Sequence, residues 1–325
     1  MTGNYSREFL CIKKFLEEAK EVLIVAHSAP DSDTIGSSFA LKEHAVSCLG
    51  KKAVVACLDP LPRYFSDFLG NESIQDPQNI VLHRFDLIIG CDAVERGFEK
   101  IVTEKKENQK VILLDHHTTL RLKKIKPDLV ISDERYSSVC EIVFDFFDFH
   151  RLEISRRIAE YLLLGILGDT GIFQHANTTP KVMETAANLM RRGASLSKII
   201  RLVFKNKRLE TLKLWGRAME RAEINPRTGA IISYITRKDL EDLQVGAEDV
   251  SGVAEILNTV SGTKFSLVLS ERGENQVKGS LRSEEYKNID VSQIARLLRG
   301  GGHRLSSGFE IRGKLVKDES GWKVE

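Results

Sequence analysis

Short aliphatic runs alternate along this chain with longer stretches whose apolar residues recur every three or four positions. Phe9, Ile12, Phe15, Leu16 and Ala19 mark one face of a helix. Val22-Leu23-Ile24-Val25-Ala26 then reads as a strand buried on both faces, being short, continuous and aliphatic. Similar runs recur at residues 52–57, 85–92 and 111–114, with a loop marked by Pro60 and Pro62. The residues from Gly36 open a helix. Helical periodicity returns at 137–149 and 155–167, and Pro180 begins a helix that runs to Arg192. Strands that alternate with helices predict an α/β fold with a doubly wound, mainly parallel sheet.

Residues 193–222 are basic and helical, with Lys205, Lys207, Arg208 and Lys213, and read as a connector with a solvated charged face. A smaller α/β unit follows: a strand at 230–236, a helix near 249–260, strands at 264–270 and 276–282, and a helix at 291–298 that leads into Gly300-Gly301-Gly302-His303. A chain of 325 residues is long for one core. The expected organisation is residues 1–192, a helical linker at 193–222, and a second domain at 223–325.

The polar residues at the strand ends carry the chemistry. The run at 111–114 ends in Asp115-His116-His117, and the first strand ends in His27, with Asp31 and Asp33 four and six positions on. The run at 85–92 ends in Asp92, and the helix at 155–167 runs into Gly168-Asp169-Thr170-Gly171. A parallel sheet brings such strand ends to one rim, where α/β folds place their ligands. Each cluster also has a plainer reading. Asp115-His116-His117 reads as a polar turn, Asp33 as a carboxylate at a helix start, and Asp169 as part of an ordinary loop. Capping leaves His27 unexplained. Carboxylates mixed with imidazoles suit Mn²⁺ better than Ca²⁺ or Mg²⁺, with Fe, Co and Zn as alternatives. The donors are too many for one ion, and two ions sharing a carboxylate would serve phosphoester or phosphoanhydride hydrolysis.

Composition narrows the field. Hydrophobic content of 42% and charged content of 29% are those of an ordinary soluble protein, and 48 basic against 46 acidic residues leave a net charge of +2. A binder of long nucleic acid is usually more basic. The five cysteines are scattered and form no CxxC pair, which argues against a disulfide framework and a cysteine zinc site and fits a reducing cytoplasm. No signal-peptide pattern or membrane-length apolar stretch is present. In the second domain, Arg282 can clamp a phosphate, and the glycines at 300–302 allow a close backbone approach to an anion. A flexible loop would read the same way.

These residues resemble the DHH phosphoesterase superfamily, in the stand-alone DHH–DHHA1 type of the nanoRNase/pAp-phosphatase proteins. The resemblance rests on four ordered motifs: His27 to Asp33 with Gly36-Ser37; Asp92; Asp115-His116-His117; and Gly168-Asp169-Thr170-Gly171. Ser280-Leu281-Arg282-Ser283 and Gly300-Gly301-Gly302-His303 with Gly308-Phe309 match the C-terminal signature. The resemblance implies two Mn²⁺, replaceable by Mg²⁺, Co²⁺ or Fe²⁺. One would be held by His27, Asp31 and Asp92, and the other by Asp33, Asp92, His116 and Asp169. Asp115 would orient ligands and His117 would face the phosphate. Arg282, Ser283, Gly300, Gly301, Gly302 and His303 would bind substrate, with the site between the domains. The substrates implied are oligoribonucleotides of a few residues, linear dinucleotides, and 3′-phosphoadenosine 5′-phosphate (pAp), with cyclic di-AMP as the alternative. Neither long duplex nor membrane is implied as a partner, and the family suggests a homodimer. Thr34, Gln174 and Ser306-Ser307 depart from the usual pattern. The length leaves no room for the extra domains of RecJ-type exonucleases, and the glycine-rich end argues against the family II pyrophosphatases. A non-catalytic nucleotide-binding relative would have lost a ligand, and none is missing.

Overall fold

The computed structural model describes residues 5–93, 97–117, 122, 124–204, 207–273, 275–302, 304–318 and 321–325. The chain divides into two compact units, Met1–Asn206 and Lys207–Glu325.

The first unit is built on a six-stranded sheet of β1 (Glu21–Ala26), β2 (Lys52–Ala56), β3 (Ile74–Gln75), β4 (Leu87–Cys91), β5 (Lys110–Asp115) and β6 (Leu129–Ser132). The spatial order is β3-β2-β1-β4-β5-β6, and every pairing is parallel. Alternate residues of β1 enter separate cores. Val22, Ile24 and Ala26 pack on one face, and Leu23 and Val25 on the other. That is why the run shows no polar alternation. The principal helices of this unit are α1 (Ser6–Glu18), α2 (Ser32–Glu43), α3 (Ser66–Leu69), α4 (Phe98–Ile101), α5 (Val139–Phe149), α6 (Arg156–Asp169), α7 (Pro180–Arg191) and α8 (Leu196–Ile199). The chain leaves β1 toward β2 on one side and later returns to β4 on the other. The carboxyl ends of β1 and β4 therefore flank the point where the winding reverses, the usual ligand crevice of such sheets.

The second unit holds a mixed six-stranded sheet, ordered β11-β12-β10-β9-β8-β7. Its elements are α9 (Leu209–Glu220), β7 (Glu223–Ile224), β8 (Ala230–Ile235), α10 (Arg237–Leu243), α11 (Val253–Asn258), β9 (Phe265–Glu271), β10 (Gln276–Arg282), α12 (Val291–Leu297), β11 (Gly301–Gly302) and β12 (Ser306–Arg312). A hairpin of β13 (Leu315–Asp318) and β14 (Gly321–Val324) follows. Helix α9 lies in the stretch expected to connect the domains. It buries Leu214 and Ala218 in one cluster with Ile231, Val253 and Val268. Among the described residues, no helix is long and apolar enough to cross a membrane.

Candidate metal centre

His27 follows the last residue of β1 and is fully buried. Its backbone is fixed on both sides: Thr34 Oγ1 accepts from His27 N at 3.2 Å and donates to the Cys91 carbonyl at 2.7 Å, and Cys57 Sγ donates to the His27 carbonyl. The ring Nδ1 lies 2.7 Å from the Ser28 carbonyl oxygen. A carbonyl only accepts, so Nδ1 carries a proton and Nε2 faces the site. Nε2 stands 3.1 Å from Asp31 Oδ2 and 3.3 Å from Asp92 Oδ2, yet has no well-directed hydrogen bond.

Helix α2 begins at Ser32, earlier than the sequence suggests, and its N-cap is Asp31, which accepts from the amides of Asp33 and Thr34. The cap itself is thus Asp31, while Asp33 stands at the helix start, in the first turn. Asp33 is fully buried in the first turn.

Asp92 follows β4 and adopts a positive φ of 54°, in the left-handed region where Asp is better tolerated than most residues. Its amide donates to the Leu114 carbonyl, tying the end of β4 to β5. Asp115, the last residue of β5, accepts from His117 N at 2.9 Å through Oδ1, which is also 2.7 Å from His117 Nδ1. The same Nδ1 is 3.0 Å from Asp92 Oδ1. His116 Nε2 lies 3.1 Å from Asp169 Oδ2 and 4.0 Å from both Asp33 Oδ2 and Asp92 Oδ1. The donors form three overlapping groups: His27, Asp31 and Asp92; Asp33, His116 and Asp169; and Asp92, His116 and His117.

Close packing makes this convergence possible. A Cβ on Gly36 would fall 2.4 Å from the Tyr161 carbonyl, and one on Gly168 would fall 2.4 Å from Ser32 Cβ. Both glycines let α2 and α6 approach at backbone distance, which sets Asp33 near Asp169. After Asp169 the chain turns through Gly171, Ile172 and Phe173, all at positive φ. His175 Nδ1 and Asn177 Nδ2 then reach the Asp169 carbonyl at 3.0 and 3.2 Å.

The charges are strongly coupled. Burial works against a charged His116, but Asp169, Asp92 and Asp33 outweigh it and raise its pKa to about 10. Burial likewise opposes a charged His117, while Asp115 and Asp92 carry it to about 9. His27 rises well above its ordinary value against the burial cost, through Asp31 and Asp92. Burial pushes Asp33 well up, reinforced by Asp169. Burial also raises Asp169, against the pull of His116. Asp92 falls well below the carboxylate range, because His117 and His27 overcome its burial. The cluster thus demands positive charge, met here by protons on the imidazoles. A divalent cation meets the same demand with neutral rings as ligands, and the Nε2 of His27 already faces two carboxylates. The donor set is that of a divalent-metal site.

Other sequence candidates lie in the second unit. Arg282, at the end of β10, places Nε 2.8 Å and Nη2 2.7 Å from Glu255 Oε1, and its Nη1 donates to the Leu281 carbonyl. Ser283 is buried, with its hydroxyl donating to the Lys264 carbonyl. Gly300 packs so tightly on β12 that a Cβ would meet the Gly308 carbonyl at 2.2 Å, and Gly302 has φ +125°. Gly301 faces open space. Gly301 and Gly302 pair with β12 as a short exposed edge strand. His303 lies outside the described residues. Sequence reasoning did not find the anchoring roles of Thr34 and Cys57, the bonds of His175 and Asn177 to Asp169, or the Glu255 partner of Arg282. None of these has a local pattern to reveal it.

The chain matches the family model for the DHH family, N-terminal domain, over residues 21–166, and that for the DHHA1 domain over residues 228–320. It is 32% identical to a bifunctional oligoribonuclease and PAP phosphatase NrnA of Thermus thermophilus, over 90% of this chain and 84% of that protein. It is 27% identical to the protein of the same name from Bacillus subtilis, over 89% of each chain. The crystal structure of an exopolyphosphatase-related protein from Bacteroides fragilis superposes with a TM-score of 0.83 at 25% identity, covering 95% of this chain and 92% of that one. The chain belongs to the DHH superfamily of phosphoesterases, in the DHH–DHHA1 family that includes the bifunctional oligoribonuclease and PAP phosphatase NrnA proteins.

Proposed function

We propose that this protein hydrolyses very short oligoribonucleotides, linear dinucleotides among them, to mononucleotides, and removes the 3′-phosphate of pAp to give AMP. The reading draws on the two NrnA proteins compared above, whose names carry both activities. The observation that carries it is the position of Asp92, whose carboxylate faces His27 on one side and His116 and His117 on the other. A carboxylate between two donor groups is what a bridged metal pair requires.

In this account His27, Asp31 and Asp92 would hold one Mn²⁺, and Asp33, Asp92, His116 and Asp169 would hold the second. A metal pair supplies Lewis-acid polarisation of the phosphoryl oxygen and a water nucleophile at neutral pH. The residues of the chain supply the rest. Asp115 fixes the ring of His117 through Nδ1, turning the other edge of the imidazole toward the phosphate. His117 there would stabilise the pentacoordinate transition state by hydrogen bonding and, in its protonated form, donate a proton to the leaving oxygen. Arg282 and the glycine edge strand hold the remaining nucleotide. This division of labour fits a substrate with one reacting phosphate and one nucleoside beyond it, and it makes no use of a long polyanion track.

A product time course with Mn²⁺ tests the proposal. The substrates are a 5′-labelled RNA dinucleotide, a five-mer, a 24-mer, pAp, cyclic di-AMP and pyrophosphate. Fast loss of the dinucleotide and of pAp, with the 24-mer and cyclic di-AMP slow, is the expected outcome. Preference for cyclic di-AMP would replace the proposed substrate class at the same site, and hydrolysis of none would sink the proposal.

A further inference from the structure

Asp33 is the most enclosed carboxylate of the centre, and its only described amide donors come from a helix more than a hundred residues away. Its Oδ2 accepts from the Val139 amide at 2.7 Å and its Oδ1 from the Cys140 amide at 2.9 Å. These are the first two residues of α5. The N-cap, Ser138, accepts the Glu141 amide at 3.2 Å and so leaves the two preceding amides for Asp33. Four N–H groups at a helix start have no partner within the helix, and the helix dipole favours an anion there. Gly165 closes the opposite side: a Cβ on it would stand 2.8 Å from Asp33 Oδ1 and 3.0 Å from Asp33 Cα. Each carboxylate oxygen thereby has its own amide donor, which constrains how the carboxylate plane is turned. Oδ2, which accepts from Val139, also lies 4.0 Å from His116 Nε2.

We infer that the Val139 and Cys140 amides are positioning groups for the metal centre: they fix the rotation of the Asp33 carboxylate before an ion arrives. The inference rests on the proposed role of Asp33 as a ligand. Groups that orient ligands in this way are commonly worth a factor of about 10–100 in metal affinity.

The geometry offers a clean test. Val139 is the first helical residue, the one position where proline suits a helix, and Ser138 before it is extended, at φ −166° and ψ 162°, as a residue before proline should be. Val139→Pro thus removes the N–H while keeping the helix, and Val139→Ala loses more side-chain packing but keeps the N–H. Mn²⁺ affinity would be measured by electron paramagnetic resonance of the free ion, alongside thermal unfolding of the metal-free proteins. The expected result is Mn²⁺ binding about 10–100-fold weaker in the proline variant than in the alanine variant, with the proline variant unfolding no earlier. Equal affinities, or tighter binding by the proline variant, overturn the inference. Should the proline variant not fold, the wild-type amide protons decide. Those of Val139 and Cys140 should resonate well downfield of the other α5 amides and shift when Mg²⁺ is added, and ordinary, unmoved signals overturn the inference. Failure of the wild type to bind any divalent ion would instead refute the metal reading from which the inference starts.

Discussion

Asp115 Oδ1 receives both the backbone N–H of His117, at 2.9 Å, and its ring Nδ1, at 2.7 Å, so one oxygen fixes the whole residue. Asp115→Asn keeps the shape but offers a neutral acceptor to a ring whose charge Asp115 supports. In the proposed mechanism Asp115 is not a ligand. The variant should lose about 10–100-fold in kcat while binding Mn²⁺ within a few-fold of wild type. Steady-state kinetics and a metal titration separate the two, and loss of Mn²⁺ binding in step with kcat would make Asp115 a ligand.

Gly165→Ala should be costly out of proportion to one methyl group. The new Cβ would meet Cys140 Sγ at 2.2 Å, Asp33 Oδ1 at 2.8 Å and Asp33 Cα at 3.0 Å, and the backbone contact cannot rotate away. Overpacking of this kind costs about 1–3 kcal/mol. Because the methyl pushes on Asp33, Mn²⁺ affinity should fall as well. Urea unfolding and metal titration check both halves, and a stable variant with full metal affinity would contradict the packing described here.

Arg282→Ala should raise KM for pAp and leave kcat nearly unchanged, because Arg282 is proposed to hold the nucleotide away from the reacting phosphate. A charge-assisted hydrogen bond of about 1.5–3 kcal/mol corresponds to roughly 10–100-fold in KM. Glu255 is already bonded to Arg282 in the structure, so part of that energy is exchanged rather than gained. An unchanged KM would remove Arg282 from the substrate site.

Asp239 makes the stability of the second unit sensitive to acid. Burial raises its pKa, but Arg221, the Thr236 amide and hydroxyl, and Arg217 outweigh that and hold it below the usual carboxylate range. Its folded pKa is lower than its unfolded value of about 3.9, so its stabilisation is complete above that pH and fades as the pH falls toward the folded value. Asp239→Asn should cost about 2 kcal/mol at pH 7, less than a fully buried pair because the arginines are partly exposed. Thermal unfolding from pH 7 down to pH 3 should show the gap to wild type narrowing below about pH 4, and a constant gap would assign the loss to packing.

The parallel strands that carry the site are legible in the sequence because burial on both faces leaves them uniformly aliphatic, and the polar residue that ends each run is then conspicuous. His27, Asp92 and Asp115 stand out for that reason. Other elements are masked by their environment. β6 is four residues long with Val130 exposed, and β12 carries Ser306, Gly308, Glu310 and Arg312 on alternate positions of a half-solvated sheet. The apolar run of β6 is only Leu129-Val130-Ile131, and β12 has none. The side-chain partners of the site are harder still. Glu255 reaches Arg282 from 27 residues away, and the α5 amides reach Asp33 from 106 and 107. Backbone donors have no residue type to read, so only the folded chain reveals them.

The central claim is that Asp92 joins two metal positions at which a short phosphodiester is cut. The most direct measurement is mononucleotide release from a labelled RNA dinucleotide in Mn²⁺, by wild type and by Asp92→Asn, with folding of the variant verified. The account predicts rapid release by wild type and none above background by Asp92→Asn. Near-normal release by the folded variant would contradict it.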